Sequence, residues 1–333
     1  MSDVAPSADV LENRSLVVED LKVHFGGGKT LFSGNKPTVH AVDGVSFTIP
    51  AGKTFGVVGE SGSGKSTTAL AIMRLVPVTH GKIALGDTPI SDLENEELRA
   101  ARHRFQIIFQ DPYSSLDPRK RAGDIVREPL DLMKIGSRAE RDAKVAELFT
   151  QVGLRPEQKA LFPHQFSGGQ RQRLSLARAL STEPDLIVCD EPVSALDVAI
   201  QAQILNLMAK LQRDLGLTYL FISHDLGVVQ HICDEIAVMY LGQIVEQTDR
   251  VTLFKNPRHP YTKALLAAVP SVHGNKRDRR NRVRLEGDPP SPINLPPGCR
   301  FASRCPMAEA QCRQSSPPLE EKATGHKVAC FLV

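Results

Sequence analysis

The chain has 333 residues, of which 41% are hydrophobic, and its formal net charge is +3. This length exceeds the roughly 250 residues at which single domains usually stop growing, so we expect a main domain with an appended module. The small net charge gives no argument for nucleic-acid binding, and no stretch approaches the about 18 uninterrupted apolar residues of a membrane span. The polar, acidic start, MSDVAPSADVLENR, lacks a secretory signal, and residues 1–14 are predicted to be disordered. We therefore expect a cytoplasmic protein that is peripheral to any membrane.

The first predicted elements are strands. Apolar and polar residues alternate in SLVVEDLKVHF (15–25) and AVDGVSFTI (41–49), which predicts two half-buried strands joined by a Gly-, Lys- and Pro-containing loop at 26–38. The apolar run TFGVV (54–58) then predicts a buried strand. This order indicates a β-rich segment followed by the core of an α/β domain.

A glycine-rich segment, GESGSGKS (59–66), follows the buried strand and precedes a predicted helix. It satisfies the Gly-x4-Gly-Lys-Ser pattern, in which a tight turn aims backbone N–H groups at phosphate oxygens and a helix N-terminus favours the anion. We expect Lys65 to reach the β- and γ-phosphates of ATP and Ser66 to offer its hydroxyl to Mg²⁺. The predicted ATP-binding residues of this phosphate loop are Gly59, Ser61, Gly62, Gly64, Lys65, Ser66 and Thr67.

The pattern turns helical after the phosphate-loop region. Apolar residues recur at helical spacing between 111 and 165, as in AGDIVREPLDLMKIG (122–136) and RAERDAKVAELFTQVGL (138–154). Strand–helix alternation resumes from 167 to about 240, and no internal repeat is evident. We therefore predict an α/β nucleotide-binding domain over 15–255, with a helical subdomain at about 111–180.

Two further apolar runs end in residues that suit phosphate chemistry. LIVCDEP (186–192) predicts a buried parallel strand that delivers Asp190 and Glu191 to its carboxyl end. Asp190 is expected to hold Mg²⁺ and Glu191 to orient or deprotonate water, because phosphoryl transfer needs mainly positioning and charge neutralisation. A helix cap at Asp190 is the alternative, and it explains only one acid. The run TYLFISH (218–224) is predicted to place His224 at the same edge, beside the γ-phosphate.

The segment FSGGQRQR (166–173) resembles the signature motif of the ABC-type ATPases, with Phe166 in place of the commoner Leu. That resemblance implies that the motif binds the γ-phosphate of ATP held by a partner subunit, so that one chain carries two half-sites. The exposed N–H groups of Ser-Gly-Gly at a helix N-terminus suit this role. The residues concerned are Ser167, Gly168, Gly169 and Gln170.

The same resemblance implies roles for three other residues and a fold. Gln110 is expected to contact Mg²⁺ and water and to link the ATP site to a transmembrane partner. Asp197 in SALD is expected to cross the dimer interface, and Phe25 to stack on adenine, with a core phenylalanine as the alternative. All the catalytic positions are filled, which implies a hydrolysing ATPase. The expected fold is α/β, a P-loop ABC ATPase core with an antiparallel β subdomain and a helical subdomain.

A C-terminal extension is predicted over 256–333. HPYTKALLAAVPS (259–271) predicts a short helix, and five prolines between 289 and 297 predict a stiff extended segment. The basic stretch KRDRRNRVR (276–284) between them is interpreted as a solvated linker, with contact to anionic lipid or a partner as the alternative.

Four of the six cysteines lie in the last 35 residues, in the spacing C-x5-C-x6-C-x17-C. In a cytosolic chain such a group indicates a metal site rather than disulfides. The spacing departs from the C-x2-C pairs of common zinc sites, so zinc and an iron–sulfur cluster both stay open, with free structural thiols a third possibility. Cys189 and Cys233 are predicted to be small core residues. The four clustered residues are Cys299, Cys305, Cys312 and Cys330.

The tail pattern PPGCRF…RCP…C…ACF, together with HPYTKALL and QDPYSSLDPR, resembles the oligopeptide/dipeptide importer ATPases over essentially the whole chain. The loop at 26–38 and QDPYSSLDPR resemble the F member of the paired ATPases more than the D member. This resemblance implies ATP and Mg²⁺ as cofactors and a [4Fe–4S] cluster at the four cysteines, with zinc as the alternative.

The resemblance also implies an assembly. The expected partners are a D-type ATPase subunit in a heterodimer, two transmembrane permeases and an extracytoplasmic substrate-binding protein, with no nucleic acid. The chain would then lie at the cytoplasmic face of the bacterial inner membrane and contact it through the permeases. The same motor serving glutathione, nickel or a sugar is one alternative. A soluble ABC regulator of ribosomes or DNA is another, which the lack of a second cassette and of a strongly basic surface disfavours.

Overall fold

A computed structural model describes residues 14–27, 37–268 and 287–333. These residues divide into two compact units between which the chain passes several times. As far as its residues are described, the first unit contains Met1–Val17, Thr48–Thr54 and Ile83–Ile222, and the second contains Val18–Phe47, Phe55–Lys82 and Ser223–Val333. Every helix in the described ranges is too short or too polar to cross a membrane.

The described strands are β1 (Leu16–Phe25), β2 (Val39–Ile49), β3 (Thr54–Val58), β4 (His80–Leu85), β5 (Phe105–Ile108), β6 (Leu186–Asp190), β7 (Thr218–Ser223), β8 (Glu235–Tyr240), β9 (Gln243–Asp249), β10 (Glu320–Ala323) and β11 (His326–Val328). The described α-helices are α1 (Lys65–Ile72), α2 (Asn95–Ala101), α3 (Ala122–Met133), α4 (Arg138–Gln151), α5 (Gly168–Leu180), α6 (Val198–Leu215), α7 (Leu226–Ile232), α8 (Arg250–Lys255), α9 (Pro260–Ala268) and α10 (Ala310–Gln314).

The first unit is built on the parallel strands β5, β6 and β7, in which Ile108 pairs with Cys189 and Asp190 with Ile222. All residues of β6 and β7 are buried, which explains why both strands are continuous apolar runs in the sequence. The helical part of this unit contains α3, α4 and α5, and Phe149 of α4 is fully buried there. The helices predicted at 122–136 and 138–154 are thereby confirmed as α3 and α4.

The second unit combines a parallel strand pair with antiparallel strands. β3 and β8 are parallel, whereas β8–β9, β9–β11 and β11–β10 are antiparallel. The two last strands come from the C-terminal extension, so the tail completes the edge of this sheet. Most of the three-stranded sheet β2-β1-β4 also belongs to this unit, and β1 and β2 confirm the two predicted N-terminal strands.

The extension contains more regular structure than its sequence predicts. The helix expected at 259–271 is α9, but the helix α10 and the strands β10 and β11 were not predicted. They are too short to show a sequence periodicity, and few of their residues are buried, among them His326 of β11, which is 2% exposed. The predicted N-terminal disorder, most of the loop at 26–38 and the basic stretch 276–284 lie outside the described residues.

Candidate nucleotide-binding site

The phosphate loop lies between the buried strand β3 and helix α1, as the sequence predicts. Gly64 is the N-cap of α1, and its φ of 104° lies in the left-handed region that favours glycine. A Cβ atom at Gly64 would collide with the backbone carbonyl oxygen of Ala41, and one at Gly59 would collide with that of Met239. Both glycines of the pattern are therefore required by close backbone approach within this unit.

The buried side chain of Lys65 hydrogen-bonds to the backbone of the phosphate loop. Its side chain is 5% exposed, and its Nζ donates hydrogen bonds of 2.9 Å to the carbonyl oxygens of Gly59 and Glu60. Ser61 and Ser66 are exposed, and the first turn of α1 contains no acidic residue. A cationic side chain and an unneutralised helix N-terminus therefore meet at one short loop, which is the arrangement that binds phosphate.

Glu60 in the phosphate loop is held by the C-terminal extension, a contact that the sequence analysis missed. The guanidinium of Arg304 donates to both carboxylate oxygens of Glu60, at 2.7 and 3.1 Å, and the arginine side chain is only 5% exposed. The backbone N–H of Glu60 donates to the hydroxyl of Tyr261 at 2.9 Å. The available signal was HPYTKALL, whose tyrosine makes this second contact.

Tyr261 is itself fixed by buried neighbours. It packs edge-on against Tyr240 at a centroid distance of 4.7 Å, and Phe301 lies 5.5 Å away. Its N–H donates to Nδ1 of His259 at 3.1 Å. His259 is 1% exposed, and this burial lowers the pKa of its imidazole to about 3, so the ring is neutral and accepts this hydrogen bond.

The predicted carboxylates lie at the end of β6 in the first unit. Asp190 is the last residue of the strand and is 9% exposed, so the alternative of a helix cap is wrong; the helix that follows is capped by Asp197. Glu191 has φ = 49°, in the left-handed region, which costs about 1–3 kcal/mol for such a residue. Its N–H donates to the carbonyl oxygen of Ile222 at 3.0 Å, which holds this conformation.

Two predicted catalytic residues meet in this unit. Gln110 follows the end of β5, and its Nε2 donates to Oε2 of Glu191 at 2.8 Å. Since β5 and β6 are adjacent parallel strands, their carboxyl ends bring the amide and the carboxylate together. His224 follows β7 and is exposed, but it belongs to the other compact unit, and its position beside a γ-phosphate stays a prediction.

The signature motif begins α5 through a capping box. The Oγ of Ser167 accepts a hydrogen bond from the N–H of Gln170 at 3.3 Å, and the side-chain oxygen of Gln170 accepts one from the N–H of Ser167 at 2.9 Å. Gly169 lies so close to Ile200 of α6 that an added Cβ would be 2.5 Å from its methyl group. The motif is thus a helix N-terminus with small residues and no acid in its first turn.

Two residues predicted from family resemblance have surroundings that suit contact with another molecule. Asp197 caps α6, and its Oδ1 accepts a hydrogen bond from the N–H of Ile200 at 3.0 Å. The next residue, Val198, is 80% exposed. Phe25, at the end of β1, is 38% exposed, so it is not a core phenylalanine.

The four clustered cysteines gather in the second unit. The N–H of Cys299 donates to the carbonyl oxygen of Cys312 at 2.7 Å, and a Cβ on Gly298 would collide with that same oxygen. Burial raises the pKa of the Cys299 thiol, and the neighbouring thiols of Cys312, Cys305 and Cys330 raise it further. All four thiols are therefore close enough to interact. Cys189 and Cys233 are 0% and 1% exposed, which confirms that they are core residues.

Family models match two separate parts of the chain. The ABC transporter family matches residues 42–194, which include the phosphate loop and both carboxylates. The family described as the oligopeptide/dipeptide transporter C-terminal region matches residues 245–312, which include Tyr261 and Arg304.

Full-length relatives and solved structures agree with these matches. The chain is 49% identical to the oligopeptide transport ATP-binding protein AppF of Bacillus subtilis, over 95% of this chain and 97% of that protein. It is 46% identical to the dipeptide transport ATP-binding protein DppF of Escherichia coli, over 97% and 96%. The ATP-binding cassette MJ0796 bound to ADP and Pi, a dimer, is similar with a TM-score of 0.62 and 28% identity, over 71% of this chain and 98% of that one. The cbiO1 protein of Clostridium perfringens, part of an ABC transporter complex, is similar with a TM-score of 0.63 and 27% identity. The match covers 72% of this chain and 90% of that one.

Proposed function

The chain belongs to the ABC transporter ATP-binding proteins of the oligopeptide/dipeptide transporter group, and on that premise we propose that it is the ATP-hydrolysing, energy-coupling subunit of a bacterial importer of di- and oligopeptides. The observation that carries the hydrolytic part is the 2.8 Å hydrogen bond between Gln110 and Glu191 at the carboxyl ends of adjacent parallel strands. The peptide cargo is supported by relatives named as oligopeptide or dipeptide transport ATP-binding proteins, which align with nearly the whole chain.

The catalytic roles follow from the chemistry of the side chains. Glu191 orients the attacking water and accepts its proton, while Gln110 fixes the carboxylate through the hydrogen bond that the two residues share. Lys65 contacts the β- and γ-phosphates, and Phe25 stacks on adenine. His224 stabilises the γ-phosphate. These roles need little covalent chemistry from the protein, because phosphoryl transfer depends on position and charge.

The residues proposed for Mg²⁺ have the donor atoms that this ion prefers. They are the hydroxyl of Ser66, the side-chain oxygen of Gln110 and the carboxylate of Asp190, and hard oxygen donors of this kind suit Mg²⁺. Bound Mg²⁺ neutralises phosphate charge. The exposure of Ser66 and the strand-end position of Asp190 are compatible with this role.

The assembly has two composite ATP sites. The signature residues Ser167 to Gln170 bind the γ-phosphate of ATP held by a second ATPase subunit, and Asp197 contacts that subunit. Asp197 and the neighbouring Val198 are exposed, so both are accessible to a second subunit. We propose that the second subunit is a D-type ATPase. Two permeases and an extracytoplasmic binding protein complete the importer and hold this chain at the cytoplasmic face of the membrane.

At the cysteines we propose a [4Fe–4S] cluster, with zinc as the alternative. Four thiolates are a donor set that such a cluster takes. The burial of Cys299 and the influence of the other three thiols on its pKa support one shared site for the four cysteines. Anaerobic purification followed by iron, sulfide and zinc quantitation tests the choice, with zinc alone overturning the cluster.

Peptide-stimulated ATP hydrolysis by the reconstituted complex tests the function itself. The chain is assembled with its permeases, partner ATPase and binding protein in vesicles, and hydrolysis is measured with dipeptides, glutathione, nickel and a sugar. Stimulation by dipeptides alone supports the proposal. Stimulation by another cargo assigns the same motor to that cargo, and hydrolysis that needs ribosomes or DNA instead would favour a soluble regulator.

A further inference from the structure

Two histidines and an aspartate of the adjacent strands β1 and β2 form a compact group that no motif of the ATPase explains. His24 is on β1, and His40 and Asp43 are on β2. Their ligand atoms all lie within 4.8 Å of one another, and each of the three residues is half-buried. We propose that this group, the strand-pair site, binds a divalent transition-metal cation of the Zn²⁺ class.

The first support is the spacing of the donor atoms. Nδ1 of His40 is 3.2 Å from Nε2 of His24, which is 3.3 Å from Oδ1 of Asp43. Ligands bound at about 2.0–2.1 Å around a tetrahedral zinc ion lie about 3.3 Å apart. Two of the separations therefore already equal those of a coordinated site, and the donors need only small movements to share one cation.

The second support is the number of protons that the group has to share. Nε2 of His24 faces both an imidazole nitrogen and a carboxylate oxygen. If Nε2 carries a proton, one N–H has to serve two acceptors; if it does not, its lone pair faces that of Asp43. A cation that accepts a lone pair from each of the three atoms satisfies them together without a shared proton.

The third support is that the backbone and the carboxylate are held in place. The N–H of His24 donates to Thr79 Oγ1 at 2.9 Å, that of His40 to the carbonyl of Pro292 at 3.0 Å, and that of Asp43 to the carbonyl of Gly242 at 2.8 Å. The second carboxylate oxygen of Asp43 accepts from the buried guanidinium of Arg300. Outer partners of this kind orient metal ligands and strengthen binding.

The donor set selects the class of cation. Two imidazole nitrogens and one carboxylate oxygen suit zinc and its neighbours, whereas Mg²⁺ and Ca²⁺ prefer oxygen donors throughout. A water molecule completes the fourth position, as in other three-ligand sites. The strand-pair site contains no cysteine, so its spectrum differs from that of the cysteine group in the tail.

Co²⁺ is the probe, because it reports its ligands by colour and replaces zinc. The purified full chain is titrated anaerobically with Co²⁺, and we expect d–d bands without thiolate charge transfer for the strand-pair site. Competition with Zn²⁺ gives the affinity. In His24→Gln and in His40→Gln we expect these bands to be lost. The affinity of the strand-pair site for Co²⁺ should fall at least tenfold in both variants.

His80→Gln is the matched control, because His80 is an exposed histidine of the same three-stranded sheet and pairs with Asp20 outside the site. This variant should keep the bands and the affinity. The circular dichroism spectrum is compared for all variants, and His40→Gln alone decides the matter if His24→Gln does not fold. Bands that persist in both His24 and His40 variants, that are absent from the parent chain, or that are lost equally in His80→Gln would overturn the proposal.

Discussion

The phosphate loop and the signature motif are both glycine-rich turns that begin a helix, but different interactions hold them. The helix after the signature is capped by Ser167 and Gln170, residues three positions apart. Helix α1 has no side-chain cap, and the phosphate loop is held instead through Glu60 by Tyr261 and Arg304, which are 201 and 244 residues away in sequence. The signature turn carries its own support, whereas the phosphate loop depends on the C-terminal extension.

The largest effect on ATP hydrolysis is expected from substitution of Glu191, the proposed catalytic residue of the first unit. Glu191→Gln should lower the rate of ATP hydrolysis about 10²–10⁴-fold, because an amide cannot accept the proton of water. ATP affinity should stay within a few-fold, since the phosphate loop is untouched. Steady-state hydrolysis and equilibrium nucleotide binding measure the two effects. Glu183→Gln, at another residue of this unit with positive φ, is the control, and substantial residual turnover by Glu191→Gln would argue against its role.

Substitution in the phosphate loop is expected to weaken ATP binding, which Glu191→Gln should leave nearly unchanged. Lys65→Ala should weaken ATP binding by about 10–100-fold, because a hydrogen bond to a charged group contributes about 1.5–3 kcal/mol. Binding of a fluorescent ATP analogue checks the value. Lys82→Ala removes an exposed charge from β4 in the same unit and should change little. Equal affinities for the two variants would contradict the predicted role of Lys65.

Substitution of Arg304 removes the contact through which the extension holds the phosphate loop. We expect Arg304→Ala to weaken ATP binding about tenfold, because Glu60 loses its bidentate partner and the loop loses its position. Arg304→Lys should recover part of the affinity. Arg313→Ala, an exposed arginine of the same extension, is the control. Metal content is measured in each variant, and a tenfold loss of affinity that occurs only when the metal is lost would assign the effect to the cysteine group.

The extension should also make stability depend on pH. His259 is neutral in the folded chain, because burial lowers its pKa from 6.5 to about 3. The unfolded chain binds a proton below pH 6.5 and the folded chain does not, so the free energy of unfolding falls as pH drops from about 6.5 towards 3. The slope reaches about 1.4 kcal/mol per pH unit. Urea unfolding at pH 7, 6 and 5 should give a shallower slope for His259→Gln than for the exposed control His231→Gln.

The smallest effect is expected at the locally capped helix. Ser167→Ala should cost about 1 kcal/mol and lower the thermal midpoint by roughly 2–4 °C, because the capping box is lost. Ser137→Ala removes an equivalent capping box from α4 and should cost about the same. Only the Ser167 variant should also reduce ATP hydrolysis in the assembled complex. Equal activities for the two variants would leave Ser167 with a capping role alone.

The same contrast explains what could be predicted from the sequence. Buried strands and motif spacing are local patterns, so β6, with Asp190 and Glu191 at its carboxyl end, and α5 could be predicted from the sequence. The hydrogen bond between Gln110 and Glu191 was not predicted, because the adjacency of β5 and β6 in the sheet has no local signal. The contact between Arg304 and Glu60 has no local signal, because neither residue type nor spacing marks an arginine as the partner of a carboxylate 244 residues earlier. The strand-pair site was missed for a similar reason, since β1 and β2 bring together histidines that are 16 residues apart.

The distant support of the phosphate loop has a consequence for how the protein is made. A ribosome adds about 5–20 residues per second, so Arg304 is joined to the chain about 12–50 s after Glu60. During that interval the nascent chain has its phosphate loop but not the arginine that holds it, whereas Ser167 and Gln170 are synthesised almost together. The order of synthesis therefore delays a correctly held phosphate loop until nearly the whole polypeptide exists.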